Sequence, residues 1–196
     1  MLPGRMPTLE FFYDIASPYT YLASTQIEAI ASDCGATLVW RPFLLGAVFK
    51  LTGNQPPAML PARGSYMHKD LERWKTYYRV PLTVPASFPP NSLKAMRVLV
   101  STPTDQLADL THRLFHAYWA EGKDIGDPAM LETLVGAEAM ARTNDPAVKQ
   151  LLKDVTGQAV SRGAFGAPTF FIGDNMFFGN DRLPFVEQML RNQKRN

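Results

Sequence analysis

Strand-forming residues crowd the two ends of this chain and leave the middle to helices. Thr8 to Tyr13 is alternating and rich in aromatics, and Thr37-Leu38-Val39-Trp40-Arg41-Pro42 reads as a second strand. Near the other end, Thr169-Phe170-Phe171-Ile172 and Met176-Phe177-Phe178 flank Gly173-Asp174-Asn175, whose residues tolerate positive φ and predict a hairpin. Ser17 or Asp14 can cap a helix running through Tyr21-Leu22-Ala23 to about Ser32, stopped by Gly35. A strand–helix–strand unit of about 30 residues favours a right-handed crossover into a parallel pair.

From Phe43 to about Asn144 the spacing is helical, broken by proline clusters at Gln55-Pro56-Pro57, Val80-Pro81 to Pro90 and Thr102-Pro103. Helices are predicted over Met67 to Tyr78, Ser92 to Val100, Thr104 to Ala120 and Met130 to Ala141. A long helix follows from Pro146 to Arg162, ending at Gly163, and Arg182 to Asn192 closes the chain. The order is β-α-β, a helical stretch of roughly 100 residues, then α-β-β-α. That is an α/β, thioredoxin-like fold (residues 8–43 and 146–196) interrupted by an all-helical insertion domain (44–145).

Composition narrows the function classes. With 196 residues, 46% of them hydrophobic, the chain can bury a sizeable core. Twenty basic against 18 acidic residues give a formal charge of +2, and the basic run from Arg191 to Arg195 suits a solvated helix end, so no nucleic-acid partner is expected. No segment has the apolar length of a membrane span, and Met1 to Pro7 carries no leader pattern, so a cytoplasmic location is the expectation. Cys34 is the only cysteine and cannot form a dithiol couple within the chain. His68, His112 and His116 show no ligand constellation, and no metal is expected.

Three clusters carry chemistry. Ser17-Pro18-Tyr19-Thr20, after Phe11-Phe12-Tyr13-Asp14, sits where a redox protein of this fold carries Cys-x-x-Cys, at a helix mouth whose free N–H groups and dipole stabilise a thiolate. The chain supplies a hydroxyl there, so a thiolate must arrive on a small molecule, for which glutathione is the obvious carrier. Phe165-Gly166-Ala167-Pro168-Thr169 leads straight into a strand, where this fold places a cis proline. A cis bond would leave the Ala167 N–H and C=O free to pair with an extended peptide. Gly179-Asn180-Asp181-Arg182-Leu183 precedes the final helix; the N–H groups of Asp181 and Arg182 can hold a carboxylate, or the Asp181 side chain an ammonium. Ser17, Asn180 and Asp181 also suit plain helix caps.

These motifs, with Lys69-Asp70-Leu71-x-Arg73-Trp74 in the insertion, resemble those of the 2-hydroxychromene-2-carboxylate isomerases, relatives of the kappa-class glutathione transferases and of DsbA-type oxidoreductases. The resemblance covers nearly the whole chain. It implies that Ser17 is the catalytic residue, activating the thiolate of glutathione. By the same resemblance Ala167 and Pro168 line the cysteinyl unit, and Asn180, Asp181, Arg182 and Leu183 hold the γ-glutamyl end. Lys50, Asn54, Phe88 and Asn91 are candidates for the small aromatic carboxylate substrate or the glycyl end. The implied reaction interconverts 2-hydroxychromene-2-carboxylate and trans-o-hydroxybenzylidenepyruvate in naphthalene-type catabolism, in a protein expected to be a homodimer. Two other readings stand beside it: a kappa-like glutathione transferase or peroxidase, and a non-catalytic peptide-binding module on the same scaffold.

Overall fold

The computed structural model describes residues 6–56 and 59–195. Residues 1–5, on which part of the leader reading rests, and Pro57 of the first proline cluster lie outside the described residues. Four strands, β1 (Thr8–Tyr13), β2 (Thr37–Pro42), β3 (Thr169–Ile172) and β4 (Asn175–Phe178), form one sheet in the order β2-β1-β3-β4. β1 runs parallel to β2, with Phe11 opposite Trp40, and antiparallel to β3, with Phe11 opposite Phe170. β3 and β4 form the expected hairpin, turning at Gly173 with φ 57.

The alternation of β1 sorts its side chains onto two apolar faces. Leu9, Phe11 and Tyr13 lie on one face; Phe11 stacks on Tyr13 and Phe170 at centroid distances of 5.3 and 5.2 Å and meets the edge of Trp40 at 5.1 Å. Helices α1 (Pro18–Cys34) and α9 (Leu183–Arg195) cover this face with Leu22, Ile27, Val186 and Leu190. Phe12 lies on the other face against Phe43 and Phe171, under α8 (Pro146–Ser161) and Val48 of α2 (Leu45–Thr52). Each fully buried side chain of this size contributes about 1.5–3 kcal/mol. Gly35, at φ 65, ends α1 as its left-handed cap.

Between α2 and α8 run α3 (Pro61–Tyr78), α4 (Leu93–Val100), α5 (Thr104–Phe115), α6 (Pro128–Val135) and α7 (Ala137–Arg142). Their core residues Met96, Leu99, Leu114 and Trp119 belong to the same apolar cluster as Leu9 and Phe11 of the sheet. Three hydrogen bonds tie this helical region and its connecting segments to the end of β1 and the start of α1. Tyr13 and Thr111 share one of 2.6 Å, Trp119 Nε1 donates to the Ile15 carbonyl at 2.8 Å, and the Tyr21 hydroxyl donates to the Pro81 carbonyl at 2.6 Å. The segment that carries Ser17 is thus fixed from the helical side.

Some helices depart from expectation. α2 was not predicted, and Lys50 stands in its last turn. α3 begins at Pro61, earlier than the expected Met67. The helix expected over Met130 to Ala141 is two, broken at Gly136 with φ 85, and the one expected to Ala120 widens into a π-helical turn over His116–Ala120. Among the described residues no helix is long and apolar enough to cross a membrane, and no three His, Cys, Asp or Glu converge as metal ligands. His112 and His116 face Glu28 and Glu121 at 3.1 and 3.5 Å.

Candidate active site

The end of β1 is held by a buried carboxylate. Asp14 accepts hydrogen bonds from the Ala16 N–H (2.9 Å), the Leu45 N–H (2.8 Å) and the Ser92 hydroxyl (3.1 Å), joining the β1–α1 turn to the first residues of α2 and α4. Its side chain does not cap α1. Burial pushes its pKa above the ordinary carboxylate value, while the three donors pull it down.

Ser17 is the N-cap of α1, with Pro18 in the first turn where its missing N–H costs nothing. Its Oγ accepts from the Thr20 N–H at 3.2 Å and donates to the Ala167 carbonyl at 3.2 Å. Ser17 is 5% exposed. Thr20, where the second thiol of a dithiol pair would stand, is fully buried, and its Oγ1 has no hydrogen-bond partner among the described residues.

Across the mouth, the Ala167-Pro168 peptide is cis. The Ala167 carbonyl is not free, as the motif had suggested: the Ser17 hydroxyl occupies it, because a capping serine at the helix mouth lies within reach. The Ala167 N–H has no partner among the described residues. Thr169 Oγ1 donates to the Gly166 carbonyl at 2.8 Å, and the Gly179 N–H donates to the Pro168 carbonyl at 3.0 Å, linking this loop to the turn before α9. A Cβ on Gly166 would come within 2.7 Å of the Phe178 ring, so the loop packs too closely there for a side chain.

The turn before α9 is a 3-10 turn, Asn180–Arg182. Asn180 is 2% exposed, and its Nδ2 is a buried donor without a partner among the described residues. The Asn180 carbonyl accepts from the Leu183 N–H and, at 3.5 Å, from the Tyr78 hydroxyl of α3. The Arg182 N–H donates to the Gly179 carbonyl, so of the two N–H groups expected to receive a carboxylate only that of Asp181 lacks a partner among the described residues. The half-exposed Asp181 carboxylate pairs with Arg182 at 2.7 Å, and Leu183 is buried in the core.

The remaining candidates are spread around this centre. Asn54 is joined to it directly: its Nδ2 donates to the carbonyl of Phe165, two residues before Ala167, at 2.9 Å. Lys50 is exposed and makes no side-chain hydrogen bond or ion pair among the described residues. Asn91 precedes the N-cap of α4, its Oδ1 accepting from the Leu93 N–H at 3.3 Å, next to the Ser92 that reaches Asp14. Phe88 is half-buried against Trp119, with ring centroids 5.7 Å apart.

Sequence reasoning missed Tyr19 as a site residue. Its hydroxyl donates to Asp70 of α3 at 2.9 Å, and burial first, then Asp70, push its pKa above the ordinary phenol value. Beside it lies a cavity of about 360 Å³ lined by Tyr19, Ala62, Arg63, Tyr66 and Met67. The signal available was the pairing of Tyr19 in one motif with Asp70 in another.

Comparison with known proteins matches the model of the DSBA-like thioredoxin domain over residues 8–191. A 2-hydroxychromene-2-carboxylate isomerase of Sphingobium xenophagum is 34% identical over 192 residues, covering 93% of this chain and 97% of that one. Glutathione S-transferase kappa 1 of Rattus norvegicus is 30% identical, covering 93% and 90% of the two chains. Among solved structures, a 2-hydroxychromene-2-carboxylate isomerase superposes with a TM-score of 0.85 at 29% identity, covering 96% of each chain. The relatives are isomerases and transferases, and this chain is an enzyme.

Proposed function

We propose, from the premise that this chain belongs to the DSBA-like thioredoxin domain family, that it uses glutathione to interconvert 2-hydroxychromene-2-carboxylate and trans-o-hydroxybenzylidenepyruvate. The observation that carries the reading is a helix mouth built for a thiolate, with a serine and a threonine at the two positions of the redox motif. Such a mouth cannot cycle between dithiol and disulfide, yet it keeps the helix dipole and, among the described residues, the unpartnered Tyr19 N–H.

The residues present fit glutathione. The Ala167 N–H beside cis-Pro168 is a free donor for the backbone of an extended peptide. Asn180 Nδ2 and the Asp181 N–H are further donors at the positive end of α9, suited to the γ-glutamyl carboxylate, while Arg182 holds the Asp181 side chain and Leu183 anchors the turn. A buried amide without a partner is costly in the free protein and gains when a ligand satisfies it.

Glutathione would supply the nucleophilic sulfur whose reversible addition to the open-chain enone frees a double bond to rotate, with no net redox change. Ser17 donates its hydroxyl proton toward that sulfur and, with the α1 dipole, holds it as a thiolate. Asn54 keeps the cis-proline loop in place through Phe165. Lys50 offers a fixed positive charge to the substrate oxygen on which negative charge develops, and Phe88 and Asn91 flank the crevice. The reading extends to a cytoplasmic homodimer in naphthalene-type catabolism, with residues 44–145 as the insertion domain.

The test is the absorbance change of 2-hydroxychromene-2-carboxylate with purified protein, with and without glutathione, in wild type and Ser17→Ala. Turnover that needs both glutathione and Ser17 is expected. No turnover, with glutathione still raising Tm and a chlorodinitrobenzene-type electrophile consumed, would replace the isomerase by a kappa-like transferase, which the equally extensive kappa relatives favour as the second reading.

A further inference from the structure

The groups around Ser17 and cis-Pro168 are a hydroxyl, backbone and an amide, none of which selects a flat ring bearing a carboxylate. The cavity beside Tyr19 has that chemistry. It is a groove open to solvent, of about 360 Å³, wide enough for a flat ring. Tyr19 forms one wall, two residues after Ser17 in the first turn of α1, and its ring is fixed by the hydrogen bond to Asp70. Met67, 4% exposed, gives an apolar floor, and Tyr66 stands 59% exposed at the rim. Arg63 supplies the charge: its guanidinium makes no hydrogen bond, ion pair or ring contact among the described residues.

The neighbouring charges do not neutralise Arg63. Asp70 and Asp181, the carboxylates that act on Tyr19, form no ion pair with Arg63 among the described residues, Asp181 pairing instead with Arg182, and the Arg73 guanidinium over the Tyr66 ring at 5.9 Å adds positive charge to this side. α3 has no acidic residue in its first turn and no side-chain cap, so its dipole adds to the positive sign at Arg63. An unpaired guanidinium forks readily onto a carboxylate, and two tyrosine rings favour stacking against an aromatic plane.

We infer that Tyr19, Arg63 and Tyr66 seat the aromatic carboxylate substrate, with Arg63 on its carboxylate and the ring against the tyrosines. The inference rests on the glutathione-dependent reading. It places substrate recognition on the α1–α3 side of the mouth, with Lys50 left to the substrate oxygen on which charge develops.

The experiment is calorimetric titration of glutathione-saturated protein with 2-naphthoate, an unreactive flat carboxylate, and with its neutral amide. Arg63→Gln is expected to weaken 2-naphthoate roughly tenfold, the equivalent of one charged hydrogen bond. It should leave the amide and glutathione itself unchanged, with Arg63→Lys intermediate. Tyr66→Ala should weaken both probes. No naphthoate binding by wild type, equal naphthoate affinity in Arg63→Gln, or a parallel loss of glutathione affinity would overturn the inference; the last would give the cavity to glutathione's own carboxylate. Naphthoate binding that depends on Arg63 without chromene turnover would preserve the seat and remove the isomerase reading.

Discussion

The Ser17 hydroxyl donates to the carbonyl of Ala167 at 3.2 Å, joining the N-cap of α1 to the residue before cis-Pro168. A serine has one proton to donate, so a sulfur entering the mouth takes that proton only by displacing the Ala167 carbonyl. The bond displaced is long, and the Thr20 N–H still holds the Ser17 oxygen from behind. The hydroxyl is thereby positioned in advance and needs only to rotate.

Ser17→Ala removes both the cap and the donor. Unfolding in urea should show a loss of about 1 kcal/mol, the usual value of an N-cap. Glutathione-dependent turnover should fall by roughly 10²-fold or more, as when a positioned donor is lost from an active site. A full-rate variant with reduced stability would make Ser17 a cap and nothing else.

Asp14 makes stability depend on pH in a defined direction. Burial raises its pKa above the ordinary 3.8, so the folded state holds the proton more tightly than the unfolded state. Its proton-linked stabilisation is full below 3.8 and is lost as pH rises toward the raised value. Relative to the non-titrating Asp14→Asn, the wild type should therefore lose stability over that window, by at most about 1.4 kcal/mol per pH unit. Urea midpoints from pH 3.5 upward check this; a difference that is flat or grows with pH contradicts it.

Trp119→Phe leaves the Ile15 carbonyl, buried in the β1–α1 turn, without its 2.8 Å donor. An orphaned buried acceptor costs about 1–3 kcal/mol. For a chain of this size each kcal/mol lowers Tm by roughly 2–4 °C. Calorimetry should show that fall, and an unchanged Tm would mean that packing alone fixes the turn.

Asn180→Ala should separate binding from folding. The Nδ2 donor has no partner to lose among the described residues, and relief of that buried orphan offsets the packing lost on truncation, so the free protein should change by less than about 1 kcal/mol. Glutathione affinity should drop roughly tenfold, the equivalent of about 1.4 kcal/mol. Affinity equal to wild type would remove Asn180 from the ligand site.

The sheet was legible in the sequence because its signals are local: β1 carries its own alternation, β2 a run of β-branched and aromatic residues, and α1 its own cap and stop at Ser17 and Gly35. α2 was not legible for a physical reason. Its cap residue Leu44 has no polar side chain, and the donors at its start are satisfied from far along the chain, Leu45 by Asp14 and Leu44 by Thr156. α3, behind Leu60, likewise lacks a side-chain cap. Ser92 is the N-cap residue of α4, but its hydroxyl turns to Asp14 instead of the helix N–H groups. In the site, the three motifs that bracket Ser17, Ala167 and Asn180 were visible as short strings. The occupation of the Ala167 carbonyl and the cavity at Tyr19 were not, since both arise between elements distant in sequence.

The central claim is that the α1 mouth ionises the thiol of bound glutathione with Ser17 as its donor. Ultraviolet titration of the thiolate band in wild type and Ser17→Ala, each saturated with glutathione, tests it directly. The account predicts a bound thiolate at neutral pH in wild type, with a thiol pKa well below that of free glutathione, and a shift back toward the free value in Ser17→Ala. A bound thiol that titrates like free glutathione in wild type, or identically in the two proteins, would contradict it.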